Sequence, residues 1–452
     1  MRLHFIAIGG SAMHNLAIAL KIKGYEITGS DDEIFEPSRS RLMKYDLLPV
    51  ETGWFPRKIH VGIDAIVLGM HAHADNPELL KAQELGLRIF SYPEFLYDQS
   101  KNKKRVVIGG SHGKTTITSM ILHVMQECGI DADYMVGAQL EGFEVMVRLS
   151  DQAGWMVMEG DEYLTSPIDR IPKFLHYHPH IAVISGIGWD HINVFPTFEN
   201  YIEQFKLFVS SIESGGVLIY DHSDNEVRKI AEASPVRSIG YEMHPYKSDG
   251  LKSIVRTAEG KTIELQVFGQ HNMMNLNAAR FVCLEMGVTE HDFYSAMASF
   301  KGASRRLELL FSGNSGVIFR DFAHAPSKVK ASVLAVRQQF PDHKLISCLE
   351  LHTFSSLNES FIDQYSQTLH PSDTAIVFYD PHAVALKRLP EISFDRIRTA
   401  FGRNDLMVFS DKNQLLNFLF SQDWKHTAAI FMSSGNFDGI DFRQFTKDIG
   451  WE

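Results

Sequence analysis

Apolar and polar residues alternate along this chain in blocks of two sizes. Short apolar runs of the strand kind recur at Leu3 to Ile8, Tyr25 to Thr28, Asp64 to Gly69, Val106 to Ile108, Trp155 to Met158, Ile181 to Ser185 and Gly216 to Tyr220. Between them lie longer segments of helical pattern, among them Met13 to Leu20, Ile117 to about Cys128, Tyr201 to Ile212, and Asn272 to Met286 with a following helix to Phe300. Strand and helix in alternation predict a parallel α/β sheet. After Lys301-Gly302-Ala303-Ser304 the alternation resumes, with strands at Gly316 to Phe322, Lys344 to Leu349, Thr374 to Tyr379 and Thr427 to Met432. The polar stretch Ser100-Lys101-Asn102-Lys103-Lys104-Arg105 reads as a linker, either a solvated turn or a basic binding segment. With breaks there and near 302, the expected fold class is α/β in three domains, over residues 1–101, 102–302 and 303–452.

Composition narrows the function classes. A chain of 452 residues fits about three domains at roughly 150 residues each. It is 44% hydrophobic, 22% charged and 11% aromatic, which excludes disorder and a disulfide mini-scaffold. The net charge of −11 repels phosphate backbones, so no nucleic-acid partner is expected. Cys128, Cys283 and Cys348 are far apart and make neither a zinc site nor a disulfide framework. No run approaches the roughly 18 apolar residues of a membrane helix, and the apolar N-terminus is too short for a signal segment. A cytoplasmic protein without membrane partners is expected.

Gly110-Ser111-His112-Gly113-Lys114-Thr115-Thr116 carries the strongest chemical signal, lying between a strand and a helix. Backbone N–H groups of such a loop and the following helix N-terminus wrap phosphate oxygens. Lys114 would reach the β/γ-phosphates and the Thr115 hydroxyl could ligate Mg²⁺. The loop departs from the general phosphate loop, with three residues rather than four between Gly109 and Gly113. Glu159 and Asp190-His191 each follow a buried strand, and ligands of parallel sheets collect at the carboxyl ends of strands. Lys114, Thr115, Glu159 and His191 are therefore expected at one crevice, where a carboxylate suits a hard cation. At the N-terminus, Gly9-Gly10-Ser11 joins a strand to a helix, and Asp31 and Asp32 follow about twenty positions later, a weak form of the dinucleotide-binding pattern.

These residues, together with Gly269 to Asn275, Arg305-Arg306-Leu307-Glu308 and Asp321-Phe322-Ala323-His324-Ala325-Pro326, resemble the Mur ligase family in order and spacing over essentially the whole chain. The short glycine loop is the form this family uses. The resemblance implies a UDP-sugar-binding first domain, a central ATP-binding domain and a C-terminal acceptor-binding domain. It implies ATP on Gly110 to Thr116, with Mg²⁺ on Thr115, Glu159 and His191. His271, Asn272 and Asn275 fall on the adenine side, Arg306 at the γ-phosphate and Asp321 at the ribose. His324 fits a histidine of the next loop, although Ala325 replaces a second histidine common there. Gly9, Gly10, Ser11, Asp31, Asp32 and His71 would face the UDP part. Lys114, Glu159, His191 and Arg306 form the implied catalytic set.

The implied reaction joins the carboxylate of UDP-N-acetylmuramate to an amine, with ATP forming an acyl phosphate. Within the family, Glu162-Tyr163, Lys173 to Tyr177 and Met432 to Ile440 point to a murein tripeptide acceptor, L-Ala-γ-D-Glu-meso-diaminopimelate, used in peptide recycling. L-Alanine is the alternative acceptor. His352 and Asn436 are candidate acceptor-binding residues. Lys206 lies near a position where some members carry a carbamylated lysine that bridges a second Mg²⁺, but a solvent-facing helix lysine is the favoured reading. Asp190 and substrate phosphate are the candidate bases. A nicotinamide-dependent oxidoreductase and a non-catalytic UDP-sugar sensor are the rivals from other classes.

Overall fold

The apolar runs fold as strands of four sheets in the computed structural model, which describes residues 1–137, 143–189, 194–313 and 316–451. Arg2–Ile6 (β1), Glu26–Ser30 (β2), Ala65–Leu68 (β3) and Ile89–Ser91 (β4) form a parallel sheet in the order β2-β1-β3-β4. Lys104–Gly109 (β5), Ala132–Met135 (β6), Val147–Arg148 (β7), Trp155–Glu159 (β8), Ile181–Ile184 (β9), Val217–Asp221 (β10) and Arg237–Tyr241 (β11) form the second. Its order is β11-β10-β9-β5-β8-β6-β7, parallel except for β6 against β7. Tyr246–Asp249 (β12), Lys252–Arg256 (β13) and Thr262–Leu265 (β14) form a small antiparallel sheet. Glu308–Gly313 (β15), Gly316–Asp321 (β16), Lys344–Glu350 (β17), Thr374–Phe378 (β18), Met407–Phe409 (β19) and Thr427–Met432 (β20) form the fourth, in the order β15-β16-β20-β17-β18-β19, with only β15 antiparallel.

Buried strands explain the parallel sheets. Every residue of β3, β9 and β20 is buried, as strands covered on both faces must be. The helices that matter for the site are Ser11–Ile22 (α1), Lys114–Glu127 (α2), Phe198–Ser210 (α3), Gln270–Glu285 (α4) and Pro326–Gln339 (α5). The chain packs as two compact units, Met1–Glu242 with Asn277–Ala296, and Met243–Leu276 with Met297–Glu452. In the first unit one apolar cluster runs from Leu3, Phe5 and Leu16 through Phe95 to Val107, Phe174 and Phe208, so the two parallel sheets share a core. In the second, Ile318, Ile346, Ile376, Phe431 and Trp424 centre the core of the large sheet.

The strands β4, β6, β7, β11, β15 and β19 fall where the sequence pattern named none, and two further features differ from it. The strands β12 to β14 fall in a stretch the alternation left without elements, because they are short and mostly exposed. The Ser100–Arg105 stretch is a tight junction, and Arg105 within it is buried rather than solvated. Its Nε donates to Tyr177 O (2.8 Å) and His178 O (2.9 Å). Its Nη1 donates to Ser100 O, Lys101 O and Lys103 O (each 3.1 Å), and its Nη2 to Glu213 Oε1 (2.8 Å). A guanidinium carries five N–H donors in a rigid fork, which suits the closing of several chain ends at once.

Candidate functional site

In three sheets the candidate residues stand at the carboxyl ends of neighbouring strands. The central case is the trio β9-β5-β8. β5 runs into the glycine loop, whose backbone only glycine tolerates: Gly110 has φ +113°, and a Cβ on it would lie 2.6 Å from both Ser185 N and Ser185 Oγ. Gly113, at φ +73°, opens α2 directly in front of Lys114. Ser111 N donates to Gly186 O (2.9 Å), and Ser185 Oγ donates to Gly109 O (3.1 Å) and to His112 O, tying the loop to the end of β9. Lys114 Nζ donates to Gly110 O (2.7 Å) and Glu162 Oε2 (2.8 Å).

Thr115 Oγ1 donates to Glu159 Oε2 at 3.1 Å, so the hydroxyl and the carboxylate expected to hold Mg²⁺ meet at the head of α2. Both are oxygen donors, the chemistry a hard dication needs, and both residues are buried. Asp190 and His191 lie outside the described residues. The half-buried His112 ring faces the loop after β9, where a Cβ on Gly188 would lie 3.0 Å from its Nε2. Lys206 sits on the exposed face of α3 with its ammonium 3.0 Å from Glu203.

In the first sheet, β1 leads to Gly9-Gly10-Ser11 and β2 to Asp31. The structure brings these together directly: Gly9 N donates to Asp31 Oδ2 at 2.6 Å and Asp32 N to Asp31 Oδ1 at 3.0 Å. Burial, with Asp32 beside it, pushes the Asp31 carboxyl up to about 6. His71 follows β3 and is exposed.

The second unit holds the remaining candidates, on its own strand ends. β16 ends at Asp321, whose carboxylate accepts from Leu307 N (3.3 Å) and Ser332 Oγ. Arg305 and Leu307 adopt φ of +54° and +46°, a conformation uncommon for side-chain-bearing residues, on either side of Arg306. That kink is pinned by Phe322 N donating to Arg305 O (2.7 Å), and the Arg306 guanidinium lies 4.5 Å from the Phe322 ring centre. The His271 imidazole is held below the ordinary histidine range by burial, against the opposing pull of Asp321. Asn272 Nδ2 donates to Phe268 O (2.8 Å) at the start of α4, and Asn275 is buried. His324 Nδ1 faces Phe322 O at 2.8 Å.

His352 and Asn436 share one neighbourhood, after β17 and β20. A Cβ on Gly435 would lie 2.8 Å from the His352 ring and from Glu350 Oε2. Asn436 lines a cavity of about 260 Å³ with Arg305, Arg320, Ile440 and Arg443. Arg320 Nη2 and Arg443 Nη2 reach the two oxygens of Glu308 at 2.9 and 2.7 Å. Sequence reasoning missed Arg320, Arg443 and the buried Glu350, and took Glu162 as a family marker only. The sole advance signal for Arg320 was its place beside Asp321 at a strand end.

The chain belongs to the Mur ligase family, whose catalytic domain it matches over residues 2–104 and whose middle domain it matches over residues 108–283. It is thus an ATP-dependent ligase forming carbon–nitrogen bonds. A UDP-N-acetylmuramate–L-alanine ligase of Arthrobacter sp. (strain FB24) is 32% identical over 83% of this chain and 80% of its own length. The UDP-N-acetylmuramate:L-alanyl-γ-D-glutamyl-meso-diaminopimelate ligase of Neisseria meningitides is 26% identical, with TM-score 0.60 over 66% of this chain and 98% of its own. The UDP-N-acetylmuramate–alanine ligase of Thermotoga maritima shares the fold, with TM-score 0.74 at 18% identity over 100% of this chain and 99% of its own. Among the described residues no helix is long and apolar enough to cross a membrane.

Proposed function

We propose that the chain activates the lactyl carboxylate of UDP-N-acetylmuramate with ATP and transfers the acyl group to an amine. The observation that carries this reading is the strand-end trio with Lys114, Thr115 and Glu159 at the head of α2. A carboxylate oxygen attacks the γ-phosphorus and ADP leaves. The amine nitrogen then attacks the acyl carbon, the bond from that carbon to the phosphate oxygen breaks, and phosphate departs while the amine loses a proton. Lys114 and the loop N–H groups offset charge that grows on the transferred phosphoryl group. Mg²⁺ held by Thr115 and Glu159, with His191, would neutralise the phosphates when bound. In this reading residues 1–101 take the UDP-sugar, 102–302 the ATP and 303–452 the acceptor. The family resemblance implies ATP-binding roles for Arg306, Asp321, His271, Asn272, Asn275 and His324 as well.

Similarity to curated relatives backs L-alanine as acceptor better than the tripeptide, since the relatives matched over most of this chain carry L-alanine in their names. A tripeptide acceptor is a second reading, supported by one feature of the molecule: Arg305, Arg320, Arg443 and Asn436 line one cavity beside Asp441, where a ligand carboxylate would compete with Glu308 for the donors of Arg320 and Arg443. Likeness to the Neisseria enzyme supports the same reading. The test is ADP release with UDP-N-acetylmuramate and each acceptor in turn. Turnover with L-alanine alone assigns the first reading, turnover with the tripeptide alone assigns the second, and turnover with neither overturns both.

A further inference from the structure

We infer that Glu162 is a positioning residue for Lys114, wiring the phosphate loop to α3 through Tyr201 and Ser111. The inference rests on the ATP-dependent ligase reading given above. Glu162 follows β8 by three residues and is 1% exposed. Its Oε2 accepts from Lys114 Nζ at 2.8 Å, and its Oε1 accepts from Tyr201 OH at 3.1 Å. The Tyr201 hydroxyl also lies 3.0 Å from Ser111 Oγ, which in turn accepts from Gly188 N at 2.8 Å. Lysine, hydroxyls and carboxylate thus make one continuous path from the end of β9, across the loop, to the inner face of α3. Tyr201 and Ser111 are buried as well, so water does not compete for these bonds.

The carboxylate itself is held firmly. Gly160 N donates to Ile108 O (2.8 Å), Lys173 N to Tyr163 O (2.9 Å) and Phe174 N to Asp161 O (3.2 Å). Lys173 Nζ adds an ion pair to Asp161 at 2.7 Å, closing the base of the loop that carries Glu162. A buried carboxylate is costly unless paired, and a pair made for stability alone can use any nearby cation. This one engages the ammonium at the mouth of the phosphate loop. A lysine is a point charge on a flexible four-carbon stem, and its value to phosphoryl transfer depends on where that charge is held. Glu162 and Gly110 O grip it from two sides, so its reach is set before nucleotide arrives.

Steady-state kinetics with ATP varied distinguish positioning from simple structural support. Glu162→Ala lowers kcat by roughly 10- to 100-fold, the cost of a misplaced group, while KM for ATP stays within about threefold. Glu162→Gln keeps an oxygen acceptor for Lys114 and returns kcat to within about fivefold of the parent. Should Glu162→Ala fail to fold, Tyr201→Phe carries the test, since it removes one hydroxyl and leaves Glu162 in place. Its expected kcat is about three- to tenfold down with KM for ATP unchanged. Parent-like kcat in Glu162→Ala, or in Tyr201→Phe when it decides, overturns the inference. A loss confined to KM does so too, as does Glu162→Gln no better than Glu162→Ala. A parent enzyme that releases no ADP with any acceptor is a failure of the ligase reading, seen before any variant is compared, and the inference falls with it.

Discussion

Replacing Arg105 with alanine is the sharpest test of how the first unit is held together. The side chain is 2% exposed and donates to five backbone carbonyls and the Glu213 carboxylate. Each hydrogen bond from a charged group contributes about 1.5–3 kcal/mol taken singly, but six bonds from one guanidinium do not add. Glu213 is 40% exposed and regains water when its partner goes, so little is lost on that side. The larger cost is at the carbonyls left behind: the buried Tyr177 O loses its guanidinium donor and Ser100 O keeps only Lys103 N. We expect a loss of about 3–5 kcal/mol, the range for breaking a buried charged network by removing one partner. At roughly 2–4 °C per kcal/mol for a unit of this size, the transition of the first unit falls by about 6–20 °C. Scanning calorimetry reads this directly. Arg105→Lys should recover less than half of the loss, because one ammonium cannot reach carbonyls on three sides. A shift under about 1 kcal/mol in Arg105→Ala, or full recovery in Arg105→Lys, would refute the reasoning.

Further predictions concern the site. Lys114→Ala lowers kcat for ADP release by roughly 10²–10³-fold or more, the range for losing one preorganised electrostatic donor; near-parent turnover would remove the loop from the mechanism. Gly110→Ala abolishes ATP binding in titration calorimetry, since its Cβ would strike the backbone of Ser185 at 2.6 Å. The raised Asp31 carboxyl, at about 6 against 3.8, binds its proton more tightly when folded, so it lowers stability as pH rises from about 4 to about 6, and the loss is then constant. Discounted for solvent, that is about 1–2 kcal/mol, and Asp31→Asn should flatten urea-denaturation stability across the window. Arg320→Met raises KM for the productive acceptor about tenfold while leaving KM for ATP unchanged, if measured at saturating UDP-N-acetylmuramate.

The phosphate loop was legible because its signals are local. Glycines at fixed offsets carry positive φ, an apolar strand precedes them and a helical pattern follows; around Gly9 and Gly10 the strand and helix recur, but there the positive φ falls on Ala7 (+68°) and Gly10 sits at −56°. Alternation of apolar runs likewise placed β5, β8 and β9, and strand-end logic then put Thr115 beside Glu159. What the sequence concealed depends on partners far along the chain. Arg105 reads as linker charge because its acceptors come from separate segments that only folding assembles. Glu162 gains its meaning from Tyr201, thirty-nine positions on, across a sheet and a helix. Arg443 and Arg320 come to share Glu308 only because the helix Phe442–Asp448 returns to β15. The sheet β12 to β14 escaped notice for the opposite reason: a strand such as Tyr246–Asp249, with little buried, leaves no hydrophobic period to read.

Oxygen transfer tests the central claim most directly. UDP-N-acetylmuramate labelled with ¹⁸O in its lactyl carboxylate is turned over with ATP, Mg²⁺ and the productive acceptor, and the released phosphate is weighed by mass spectrometry. Activation of the carboxylate as an acyl phosphate predicts one ¹⁸O in each phosphate formed, in step with ADP. Phosphate released without label would mean that ATP was cleaved by water and would contradict the account.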